Sequence, residues 1–98
     1  MEGRLSKTSS GFLSYDIKDA EQDHIFVLAD SLTREFGFQM TGVPAPGPDG
    51  VYWDAVKGSV RLTVGWDIWS GAFVMANCQS GNAEVEKLVQ WGDFDPAK

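Results

Sequence analysis

Ser59 to Cys78 reads SVRLTVGWDIWSGAFVMANC, and this stretch decides the fold. In its first half Val60, Leu62, Val64 and Trp66 alternate with Ser59, Arg61, Thr63 and Gly65. A period of two puts the apolar set on one face of a β-strand. The second half, from Ala72 to Cys78, is apolar at nearly every position through Ala76, the pattern of a central strand covered on both faces. Between the halves, Gly65-Trp-Asp-Ile-Trp-Ser-Gly71 is expected to form the tip of a hairpin, with its glycines marking a demanding backbone path.

Working outward, Val51 to Val56 alternates as a further strand, joined to the hairpin by a tight turn at Lys57-Gly58. It is preceded by Gly42-Val-Pro-Ala-Pro-Gly-Pro-Asp-Gly50, whose three prolines at alternate positions suit a stiff surface connection and oppose a regular ladder. Phe38 to Thr41 leads into that loop as a short strand. Asp19 to Phe36 is the clearest helix: Ile25, Leu28, Ala29, Leu32 and Phe36 form one apolar stripe, with Asp19 and Gln22 in capping-box positions and Gly37 as the stop. Phe12 to Ile17 alternates as a short edge strand, and residues 1–11 read as a flexible tail. After Cys78, a second helix is expected from Ala83 to Trp91, capped by Ser80 or Asn82, with Val85, Leu88 and Val89 buried and Glu84 facing water. The assembled expectation is a single α+β domain over residues 12–98: an N-terminal helix, an antiparallel β-meander of three to four strands and a C-terminal helix, with the helices packed on one face of the sheet.

Composition bounds the function. The 98 residues are 43% hydrophobic and 22% charged, ordinary values for a globular domain. Fourteen acidic against eight basic side chains give a net charge of −6, which argues against nucleic acid or an anionic membrane as partner and fits a basic protein surface or simple solubility. No stretch approaches the ~20 apolar residues of a membrane span. Cys78 is the only cysteine, so no internal disulfide forms, a cytoplasmic setting is expected, and at the end of an apolar strand the thiol reads as buried and inert. With His24 the only histidine, no closed structural metal site of the usual kinds is expected, and no cofactor motif is present. Asp54 and Asp67 are the carboxylates that acid–base chemistry would have to use, but their spacing follows only from strand and turn positions, and Ser70 lacks the strand-to-helix elbow of a nucleophile. No catalytic residue is assigned, and a non-enzyme is expected.

The run Leu62-Thr-Val-Gly-Trp-Asp-Ile-Trp-Ser-Gly-Ala-Phe-Val-Met-Ala76, followed by a Gly-Asn turn and a short amphipathic helix, resembles small acidic bacterial immunity proteins of contact-dependent and polymorphic toxin systems. The resemblance covers Asp19 to Trp91 and carries no active residues with it. It implies a cytoplasmic protein that binds and neutralises a cognate toxin domain, often a basic nuclease. The acidic excess suits that role, because complementary charge speeds association. The expected partner-binding residues are Asp23, Asp30 and Glu35 on the first helix, or Asp67 and Trp69 at the hairpin tip. Two other readings stay open: a small-ligand module built on Trp53, Trp66 and Trp69, and an orphan domain that self-associates, for instance as a homodimer through an edge strand.

Overall fold

The structure is a computed structural model that describes residues 3–8 and 11–91. Its strands are β1 (Gly3–Lys7), β2 (Leu13–Ile17), β3 (Gln39–Met40), β4 (Ala45–Pro46), β5 (Gly50–Lys57), β6 (Val60–Asp67) and β7 (Gly71–Ala76). The helices are α1 (His24–Glu35), between β2 and β3, and α2 (Gln79–Trp91), after β7. The α+β class holds, with two helices on one face of the sheet. The sheet, however, has seven strands instead of three to four, and the chain enters through two strands before any helix.

All strands pair antiparallel in the order β1-β2-β7-β6-β5-β3, and β4 lies beside β3 along the outer side of β5. The hairpin read from Ser59 to Cys78 forms the centre as β6 and β7. The alternation of β6 works as expected: Leu62 and Val64 are fully buried, and β7 is buried at every position except Met75. Gly3–Lys7 forms a strand on β2 where a flexible tail was expected. β2 is therefore an interior strand with β1 on one side and β7 on the other, not an edge.

α1 starts at His24, four residues later than an N-cap at Asp19 implied, and its N-cap Asp23 makes no side-chain cap bond. A tertiary contact overrides the local signal. Ala20 is buried, its N–H donates to the Ile17 carbonyl (3.2 Å), and its own carbonyl accepts the Trp66 indole N–H at 2.9 Å. Residues 18–23 thus carry the chain off the sheet and tie it to β6 before the helix begins. The apolar stripe is as read for Ile25, Leu28, Ala29 and Leu32, which are buried, whereas Phe36 falls at the C-cap and is half-buried. At the far end the Phe38 N–H folds back onto the Leu32 carbonyl (3.0 Å), the expected closure around Gly37.

α2 begins at Gln79, four residues earlier than expected, because Gly81 lets the first turn press onto the sheet. A Cβ there would stand 3.1 Å from the Ala76 Cβ and 3.2 Å from the Leu62 Cδ2. Asn82 does not cap the helix; its Oδ1 accepts the Leu13 N–H at 2.8 Å and ties α2 to β2. Val85 and Leu88 are buried, whereas Val89 is exposed. Glu84, expected in water, is buried at 7% exposure because β5 sends Lys57 across the helix-covered face to meet it at 3.0 Å. The same ammonium donates to the Phe36 carbonyl (3.0 Å) and stands 5.0 Å from the centre of the Phe38 ring. One lysine thereby joins the sheet, the end of α1 and the middle of α2.

Gly65 is not part of the hairpin turn, which is confined to Ile68, Trp69 and Ser70 between the paired Asp67 and Gly71. It lies within β6 on the helix-free face, where a Cβ would come 2.6 Å from the Phe73 Cζ. Glycine here lets the Phe73 ring lie across the strand and bury itself, beside Tyr52 at a centroid distance of 6.2 Å.

Candidate functional site: an acid-rimmed aromatic groove beside α1

On an amphipathic helix whose stripe faces the sheet, the residues one position off the stripe sit at the waterline. In α1 these are Phe26 and Val27, and both stay exposed, Phe26 at 56%. Trp53, on the helix-covered face of β5, reaches out under Phe26. The two rings meet edge to face, with centroids 5.9 Å apart and planes at 68°. The Trp53 indole N–H donates to the Thr41 carbonyl (3.1 Å) and the Gly42 carbonyl (3.2 Å), so the ring is held by the chain leaving β3.

Two cavities adjoin at Phe26. One, of about 360 Å³, lies between the start of α1 and the proline-rich loop, with Glu21 and Asp23 at its rim and Ile25, Phe26, Pro44 and Val51 as its walls. The other, of about 300 Å³, runs along the next turn of α1 and is lined by Phe26, Ala29, Asp30, Thr33, Met40 and Trp53. Asp30 is also the partner of Arg34 one turn on, at 3.2 Å, with both side chains largely in water, so the pair is weak and exchangeable. The result is an aromatic groove with three carboxylates on its helix side.

Of the residues singled out from the sequence, the structure brings Asp23, Asp30 and Trp53 to this groove. Glu35 is exposed at the last residue of α1 and lines neither cavity. Asp67 is engaged in its own turn, where Oδ1 accepts the N–H groups of Trp69 (3.0 Å) and Ser70 (2.6 Å). Trp69 projects from that turn at 68% exposure with Ile68 beside it. The three tryptophans of the ligand reading are dispersed: Trp53 is in the groove, Trp66 is bonded to Ala20, and Trp69 is at the tip. Sequence reading missed Phe26, Met40 and Pro44. For Phe26 the signal was present, an aromatic residue out of phase with the stripe of an otherwise polar helix flank.

The helix-free face of the sheet carries carboxylates that are already occupied by neighbours. Asp16 accepts the Ser6 hydroxyl (2.7 Å) and the Ser14 hydroxyl (2.6 Å). Asp54 accepts the Thr63 hydroxyl (3.0 Å), which in turn accepts from the Asn77 amide (2.6 Å). A cavity of about 260 Å³ opens there between Asp16, Asp67, Phe73 and Met75. Cys78 is half-buried, not buried, because β7 ends at Ala76 and the cysteine falls at the entry to α2. Its thiol titrates below its ordinary value, chiefly through the Ser80 hydroxyl 3.3 Å away, with backbone hydrogen bonds from Arg61, Gly81 and Ser80 outweighing slight desolvation.

The chain matches no family model, no curated protein and no solved structure. Its own geometry is therefore the ground for a functional reading. Among the described residues no group of His, Cys, Asp and Glu is placed to hold a metal ion, and no helix is long and apolar enough to cross a membrane.

Proposed function

We propose that this protein is a non-enzymatic, stoichiometric binder of a basic protein, an immunity-type inhibitor that neutralises a toxin domain in the cytoplasm. The observation that carries the reading is the groove beside α1: exposed Phe26 and half-buried Trp53 form a ready apolar contact, and Glu21, Asp23 and Asp30 stand along its helix side. Interfaces of this kind draw their energy from a few aromatic anchors, while flanking charge sets approach and partner choice. The net charge of −6 has the same sign as the groove's carboxylates.

The test is capture from a lysate of the cells that make the protein, using the wild type and the double variant Asp23→Lys/Asp30→Lys as baits. The captured protein is then expressed with and without each bait. The reading predicts one basic partner at a one-to-one ratio, released by salt, lost with the double variant, and toxic unless the wild-type protein is co-expressed. A partner held equally by both baits, or one whose expression is harmless, would overturn it.

A further inference from the structure

We propose that the corner between Phe26 and Trp53 is an arginine pocket, taking a guanidinium group presented by the basic partner. The proposal deepens the docking reading above and rests on it for the source of the arginine. Trp53 lines the cavity and is anchored by its indole N–H, which donates to two carbonyls, so its ring needs little further ordering. Phe26 stands at 68° to it as the second wall. Asp30 supplies a carboxylate on the helix side of the same cavity, with Met40 and Thr33 completing the lining.

The negative faces of aromatic rings attract cations, and tryptophan does so best. Among the described residues neither ring is used this way by the protein itself, whereas the Phe38 ring is, with the Lys57 ammonium 5.0 Å from its centre. A planar guanidinium is favoured over an ammonium on three grounds. It stacks flat on an indole, it is more weakly hydrated, and it matches a carboxylate with parallel N–H groups. Asp30 already accepts a guanidinium, that of Arg34, in an exposed pair that an incoming arginine can replace. The cavity, about 300 Å³, accommodates a guanidinium together with part of its stem.

The experiment uses the intact chain labelled with ¹⁵N and titrated with Nα-acetyl-arginine amide, with Nα-acetyl-lysine amide and tetramethylammonium in parallel arms. The Trp53 indole N–H resonance and the amides of Ala29, Asp30 and Thr33 are followed. Saturable shifts in the millimolar range with the arginine amide are expected, at least about threefold tighter than with either other cation. Phe26→Ala and Asp30→Asn, both at exposed positions, should each weaken binding about three- to tenfold while the rest of the spectrum stays in place. Shifts that do not saturate, that persist in both variants, or that favour the lysine amide or tetramethylammonium would overturn the pocket. The two readings fail separately. Loss of the arginine site with a charge-dependent basic partner still captured sinks only this proposal, whereas arginine binding without such a partner sinks the docking reading and leaves the pocket standing.

Discussion

Lys57→Met isolates the polar contact that links the sheet to both helices. Methionine keeps most of the apolar stem but removes the ammonium, and with it the bonds to the Phe36 carbonyl and to Glu84, and the position over Phe38. Breaking a fully buried ion pair costs about 3–5 kcal/mol, whereas an exposed one is worth about 0–1. This pair lies between those limits: the Glu84 side chain is 10% exposed and that of Lys57 38%, and Lys87 remains 3.6 Å from the carboxylate after the change. Together with the lost bond to the Phe36 carbonyl, the expected loss is about 2–3 kcal/mol. For a domain of this size that lowers Tm by about 10–20 °C. Urea unfolding followed by tryptophan fluorescence measures it, with Glu84→Gln and the double variant completing a cycle whose coupling should be about 1–2 kcal/mol. A Lys57→Met protein within about 0.5 kcal/mol of wild type, or strictly additive variants, would show that the Lys57 contact adds nothing to the hold on the helices.

Gly65→Ala should destabilise by about 1–3 kcal/mol, because the new methyl meets the Phe73 ring. Adding Phe73→Leu should recover part of that loss, and no recovery in denaturant titrations would point to the backbone instead. The Cys78 thiol, held below its ordinary value chiefly by Ser80, should react with iodoacetamide with a pH midpoint under that of a free cysteine measured alongside it. Ser80→Ala should move that midpoint upward; an unmoved midpoint would refute the assignment of the cause.

The parts of the fold that were legible in the sequence are those where burial repeats with a period. β6 alternates, β7 is continuously apolar, and α1 carries its stripe, so all three read directly. β1 does not, since Gly3–Lys7 has only Leu5 as a large apolar residue; it is a strand because β2 offers it backbone partners, and that information lies elsewhere in the chain. The same holds for the start of α1, where the Trp66 indole sets the path through Ala20, and for α2, where Gly81 is valuable only because Ala76 and Leu62 lie beneath it. Three prolines marked the stretch from Gly42 to Gly50 as opposed to a regular ladder, yet Ala45–Pro46 pairs with β5 as a two-residue strand and Gly50 opens β5 itself. For the groove, the acids on α1 were visible as a run of like charge. Its geometry was not, because it depends on Trp53 crossing to Phe26 from a strand far along the sequence.

The seating of β2 between β1 and β7 also fixes when this protein can fold. Ribosomes deliver β2 early, yet its inner neighbour begins at Gly71, and Ile17, paired with Gly3 on the β1 side, finds its inner partner only when Ala72 has been made. Until then β1 and β2 have only each other, and a lone two-stranded hairpin is marginal in water. The meander from β5 to β7 can form by local pairing, but the sheet is completed by one long-range docking step that follows synthesis of most of the chain. A nascent chain stalled before Gly71 therefore carries β1–β2 and β5–β6 as two separate pairs without the strand that joins them, and it is during that interval that chaperones would meet it.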